Sequence, residues 1–136
     1  MMRSGLLNIE LRSNPRNISM IDGFVQKLVE EYKLSPNQYG NILISLTEAV
    51  NNAIIHGNSK DESKKVQIQL RRLKDKLAIS VSDQGRGFDP SQVSDPRCME
   101  NIEECGGRGV LIMRELSDKI QYLNEGRTVE MQFKIR

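Results

Sequence analysis

An α+β fold, with helices covering one face of a mixed sheet, is what these 136 residues predict, on three observations. Apolar and polar residues alternate in five short segments, as half-buried strands require. Three other stretches carry apolar residues at three- and four-residue steps, the mark of helices with one buried stripe. The resulting order of strand, helix, helix, hairpin, loop, helix, hairpin neither repeats nor alternates strictly, which argues against a parallel βα array.

The elements follow in order. Leu7, Ile9 and Leu11 mark a first strand ending near Ser13-Asn14-Pro15. Ile18, Ile21, Val25, Leu28, Val29 and Tyr32 form the apolar stripe of a first helix. A second helix opens at Ser35, whose hydroxyl suits the cap, with Pro36 at the first helical position and Gln38 completing a capping box; it stops at Gly57-Asn58. Val66/Ile68/Leu70 and Leu77/Ile79/Val81 flank Lys74-Asp75-Lys76 as an antiparallel hairpin. Residues 84 to 107 read as glycine-rich loop. From Gly109 a short helix turns Val110, Met113 and Leu116 inward and ends near Asp118, and a terminal hairpin joins Ile120/Tyr122 to Val129/Met131/Phe133/Ile135 around Asn124-Glu125-Gly126.

Bulk properties narrow the function. The length fits one domain, residues 1–136, without a second catalytic unit. A formal net charge of +2 with 28% charged residues carries no basic excess for nucleic acid or an anionic membrane. No stretch approaches a membrane span, and the N-terminus lacks a signal-peptide core and cleavage site, so a cytoplasmic protein is expected. Cys98 and Cys105 are too few for a disulfide scaffold, their spacing fits no zinc pattern, and two reduced thiols are expected.

The chemistry concentrates on the second helix. At one hundred degrees per residue, Ile42, Leu46, Ala49, Val50 and Ala53 form its core stripe, whereas Asn41, Ser45, Glu48, Asn52 and His56 fall in one polar strip. Ile44 and Ile55 lie on the far side, so the helix is expected to be buried except where the strip borders a cleft. Glu48 and Asn52, at i and i+4, address one small volume. Magnesium prefers hard oxygen ligands and keeps substrate phosphates, so the Asn52 oxygen suits it, while the Glu48 carboxylate stays available as a base. Asn51, a hundred degrees away, is the alternative ligand; a solvated Glu48 and a backbone-bonded Asn52 are the structural alternative. His56 fits interaction with the helix C-terminus as well as ligand contact.

Two glycine turns complete the pattern. In Ser82-Asp83-Gln84-Gly85-Arg86-Gly87-Phe88, a carboxylate precedes two glycines: Asp83 suits an amino-substituted ring, and the glycines admit a flat base beside the backbone. Gly106-Gly107-Arg108-Gly109 precedes a helix, where free amides converge on phosphate oxygens and Arg108 adds positive charge; Val110 continues that turn. A tight hairpin turn and an ordinary connection are the respective structural alternatives.

Glu48-Ala49-Val50-Asn51-Asn52-Ala53-Ile54-Ile55-His56-Gly57, Asp83-x-Gly85-x-Gly87-Phe88-Asp89-Pro90 and Gly107-Arg108-Gly109 resemble the N box and two G boxes of GHKL (Bergerat-fold) ATPases, and within them the anti-sigma-factor serine-protein kinases. The resemblance spans almost the whole chain. It implies a two-layer α/β sandwich with a mixed, mostly antiparallel sheet, ATP and magnesium as cofactors, and a lid between Pro90 and Gly106. Glu48 would be the general base, Asn52 the magnesium ligand, Asp83 the adenine reader beside Gly85 and Gly87, with Gly107 and Gly109 along the phosphates. The implied partners are a STAS-domain anti-anti-sigma protein phosphorylated on serine, a sigma factor, and a second copy in a homodimer. One departure stands out: Cys105-Gly106 occupy positions where some relatives carry a basic residue toward the terminal phosphate. An ATP-binding partner-switching regulator without kinase activity is therefore the alternative function.

Overall fold

The computed structural model describes residues 6–85 and 107–135, with the side chains of Leu6 and of 107–110 outside that description. Strand β1 (Leu6–Arg12) leads through a 3-10 turn (Pro15–Ser19) into helix α1 (Met20–Tyr32) and then α2 (Pro36–Asn52). A π-turn (Ala53–Gly57) extends α2, followed by β2 (Lys65–Arg72), β3 (Lys76–Ser82), α3 (Gly107–Leu116), β4 (Lys119–Leu123) and β5 (Thr128–Lys134).

The capping box at the start of α2 forms as its residues demand. The Ser35 hydroxyl accepts from the Gln38 amide at 3.2 Å, and Gln38 Oε1 accepts from the Ser35 amide at 2.7 Å. Gln38 Nε2 also donates to the Lys134 carbonyl, tying this helix start to the end of β5. α1 ends at Lys33, whose left-handed φ of 56° turns the chain into Leu34. Across the helix pair, the Tyr39 hydroxyl donates to Asp22.

The five strands make one sheet in the order β1-β2-β3-β5-β4. Among the described residues every pairing is antiparallel, so the mixed sheet expected from the sequence resolves into the antiparallel limit of that reading. The reason is topological. β3 and β4 both pair antiparallel with β5, so they run in the same direction, but β5 inserts between them and removes the parallel contact that the β3-α3-β4 crossover would otherwise make.

Register sorts the side chains. Leu7 faces Leu70, Ile9 faces Ile68, Ile68 faces Val81, Ile79 faces Met131 and Met131 faces Ile120, so one continuous apolar face results. That face joins Ile21, Phe24, Val25 and Leu28 of α1, Ile42, Leu46, Ala49 and Val50 of α2, and Met113 of α3 in one buried cluster. Helices on one side of the sheet are thus borne out. Phe24, 5% exposed, also belongs to the buried face of α1, beyond the residues of the predicted stripe.

The opposite face is polar yet not uniformly exposed. Glu130 is 6% exposed and accepts from Arg71, from Gln121 Nε2 at 2.9 Å and from Gln132 Nε2 at 3.3 Å. Neighbouring long side chains cover this carboxylate while giving it donors, the condition for burying a charge.

Candidate nucleotide site

α2 delivers the site's first half. Ile42, Leu46, Ala49, Val50 and Ala53 are buried, as their stripe requires. Glu48 and Asn52 stand one turn apart, both partly buried. Among the described residues neither side chain has a protein partner. The rest of the polar strip is less uniform than its angular position implies. Asn41 and His56 are exposed, whereas Ser45 is fully buried and its hydroxyl has no partner among the described residues. Nor is α2 covered on all remaining sides: Ile44 is 48% exposed. Angular position reports which residues share a face, whereas the packing of the sheet, α1 and α3 decides which faces are covered.

The C-terminal end of α2 is where the distant motif meets it. Residues 53–57 adopt a π-turn in which the Asn58 amide donates to the Ala53 carbonyl, 2.8 Å away. Such single turns are frequent at functional positions. Gly57 then lies directly against Asp83: a Cβ on Gly57 would sit 2.3 Å from Asp83 Oδ2 and 2.8 Å from Oδ1. A Cβ on Gly85 would sit 1.8 Å from the Gly57 carbonyl oxygen. The two glycines therefore allow backbone and carboxylate to approach as no other residue would.

Asp83 is held from several directions. Its own amide donates to the Arg127 carbonyl at 2.9 Å, and its Oδ1 accepts from the Gly85 amide at 2.8 Å. Burial pushes its carboxyl above the ordinary carboxylate value, opposed by the Gly85 N–H and by the positive Arg127 and Lys64. A half-buried carboxylate with one oxygen already bonded retains acceptor capacity on the other.

Two residues that the motif reading passed over support this turn. Asn58 is fully buried: its Nδ2 donates to Ser13 Oγ at 2.6 Å and to the Lys65 carbonyl at 3.0 Å, and its Oδ1 accepts from the Gln84 amide at 2.8 Å. Arg127 Nε donates to the Gly85 carbonyl at 2.8 Å. Asn58 had a local signal, the Gly57-Asn58 helix stop, but its partners lie up to 45 residues away. Arg127 had none beyond its place after a turn.

The second glycine motif differs at its boundary. Helix α3 begins at Gly107, so Gly107, Arg108, Gly109 and Val110 form its first turn, not a loop before it. The first amides of a helix have no partner within the helix itself, and α3 packs along α2. Gly87, Phe88, Gly106, the Pro90–Gly106 lid and both cysteines lie outside the described residues, as do the side chains of Arg108 and Val110. Among the described residues no three His, Cys, Asp or Glu side chains gather as a metal site, and no helix is long and apolar enough to cross a membrane.

Comparison with known proteins agrees with this geometry. Residues 11–133 match the family described as the histidine kinase-like ATPase domain. The chain is 32% identical over 110 residues to an anti-sigma F factor of Clostridium perfringens, covering 76% of this chain and 79% of that protein. It is 26% identical over 133 residues to the serine-protein kinase RsbW of Bacillus licheniformis, covering 90% and 82%. With RsbW of Listeria innocua the figures are 24% over 135 residues, 92% and 84%. The chain belongs to the histidine kinase-like (GHKL) ATPase domain family, on its anti-sigma-factor kinase branch.

Proposed function

We propose that the chain is an ATP-dependent serine-protein kinase that acts as an anti-sigma factor. The observation that carries the reading is the contact of Gly57 and Gly85 with Asp83 at the end of the helix bearing Glu48 and Asn52. It joins a base-reading carboxylate to a catalytic helix end, and the names of the similar proteins supply the reaction class.

In this reading Asp83 accepts a hydrogen bond from the adenine amino group through the oxygen that Gly85 does not use. The first-turn amides of α3, from Gly107 to Val110, face the phosphates, where a helix N-terminus favours negative charge. Glu48 takes the proton from a serine hydroxyl of the partner as its oxygen forms a bond to the terminal phosphorus; the bond to the bridging oxygen breaks and ADP leaves. The residues fit magnesium, since Asn52 offers an uncommitted neutral oxygen one turn from Glu48 and the remaining ligands would be phosphate oxygens and water. The ion would supply charge neutralisation on the phosphates.

The phosphorylated partner in this reading is a STAS-domain anti-anti-sigma protein, the sequestered one a sigma factor, and the working form a cytoplasmic homodimer. Glu48→Ala is expected to lower phosphate transfer by about 10²- to 10⁴-fold while magnesium-ATP binding survives. Transfer at the wild-type rate by that variant would remove Glu48 from the base role. The Cys105-Gly106 departure supports a second reading, a nucleotide-dependent partner switch without transfer. Radiolabelled ATP with STAS proteins separates the two: a stable complex without labelled product favours the switch.

A further inference from the structure

The three residues 83–85 carry the base-reading carboxylate, yet their conformation is set by groups far away in the chain. The Gln84 amide donates to Asn58 Oδ1 at 2.8 Å on one side, and the Gly85 carbonyl accepts from Arg127 Nε at 2.8 Å on the other. The Gln84 side chain adds a third tie, its Oε1 accepting from the Lys65 amide at 2.8 Å. We infer that Asn58 and Arg127 are positioning residues for the nucleotide base, a two-sided clamp on the Gln84–Gly85 segment that aims Asp83. This deepens the ATP-binding reading and rests on it.

Asn58 is suited to the task because all its hydrogen-bonding groups are committed. It is 0% exposed, and besides the Gln84 amide it engages Ser13 Oγ and the Lys65 carbonyl. Ser13 is itself anchored, its hydroxyl donating to the Lys64 carbonyl at 3.0 Å. One side chain therefore locks the ends of β1, β2 and α2 to the turn after β3. A fully satisfied buried network of this kind fixes one geometry, and losing a member leaves the others unpaired. Arg127 brings the opposite strand, since its backbone carbonyl holds the Asp83 amide while its side chain holds Gly85.

The test compares wild type with Asn58→Ala, Ser13→Ala and Arg127→Gln by calorimetry against magnesium complexes of ATP, GTP and tripolyphosphate, with thermal melts alongside. The clamp predicts that Asn58→Ala and Arg127→Gln weaken ATP by about tenfold or more and shrink the ATP-over-GTP preference. Tripolyphosphate, which lacks a base, should bind each variant within about twofold of wild type. Ser13→Ala should show the same pattern at smaller amplitude. Arg127 lies at the surface, so if Asn58→Ala fails to fold, Arg127→Gln and Ser13→Ala decide. Unchanged ATP affinity and preference in folded variants would overturn the clamp, as would equal weakening of ATP and tripolyphosphate. A wild-type protein that binds no ATP would instead defeat the nucleotide site itself, and the clamp with it.

Discussion

Replacing Gly57 by alanine exchanges a hydrogen for a methyl group at the place where α2's end meets the Asp83 turn. The new Cβ would lie 2.3 Å from Asp83 Oδ2 and 2.4 Å from its Cγ, more than an ångström inside ordinary contact. All three nearby atoms belong to one carboxylate, which can swing aside, so the backbone need not break. The expected stability cost stays within about 1–3 kcal/mol. In the proposed site the displaced carboxylate would lose its hydrogen bond to the base, and a hydrogen bond to a charged group contributes about 1.5–3 kcal/mol. At about 1.4 kcal/mol per tenfold, ATP should bind roughly 10- to 150-fold more weakly. Calorimetry with magnesium-ATP, at a temperature where melts show the variant folded, reads this directly. Gly85→Ala offers the contrast: its Cβ meets the Gly57 backbone carbonyl at 1.8 Å, with no flexible end to yield, so stability should fall as well. Wild-type affinity in folded Gly57→Ala would refute the argument, because Asp83 could not then be the acceptor in its present position.

Asp83→Asn should abolish most ATP affinity without unfolding the protein. The burial-raised carboxyl binds its proton more tightly folded than unfolded, so wild-type stability falls as pH rises from the unfolded value of 3.8 through the folded one. Denaturant titrations of the two proteins should therefore diverge in the variant's favour as pH rises through that window. ATP affinity of the wild type should decline on acidification at a pH above that of an ordinary carboxylate, measurable by calorimetry across pH. Ser35→Ala removes the cap on α2 and should cost about 1 kcal/mol, a fall of roughly 3–5 °C in Tm by calorimetric scanning. Met113→Ala, at a position only 1% exposed where α3 meets the core, should cost about 2–5 kcal/mol in urea unfolding.

Local chemistry was legible in the sequence wherever a residue acts on its near neighbours. The Ser35-Pro36-Gln38 cap, the two hairpins and the inward strand residues are all effects of a few residues' range, and each formed as read. The Glu48/Asn52 pair was legible for the same reason, since helical spacing alone sets it. What depended on tertiary approach was not. Glu130, between the inward Val129 and Met131, lies on the opposite face, and its burial comes from Arg71, Ser80 and Gln121 on other strands. The π-turn at Ala53–Gly57 has no compositional mark, and Ser45 shares its angular position with Glu48 while sitting under other packing. Gly57 read as a helix stop, although its lack of a side chain is required by a carboxylate 26 residues further on.

The strand inserted between β3 and β4 is made after both of them. A growing chain on the ribosome carries Glu48, Asn52, Asp83 and Gly107 well before Thr128 emerges, yet until then two strands have open edges and the Asp83 amide lacks the Arg127 carbonyl. A chain stopped before Arg127 would thus hold each of these motif residues yet lack both the strand that joins β3 to β4 and the carbonyl that anchors the Asp83 turn.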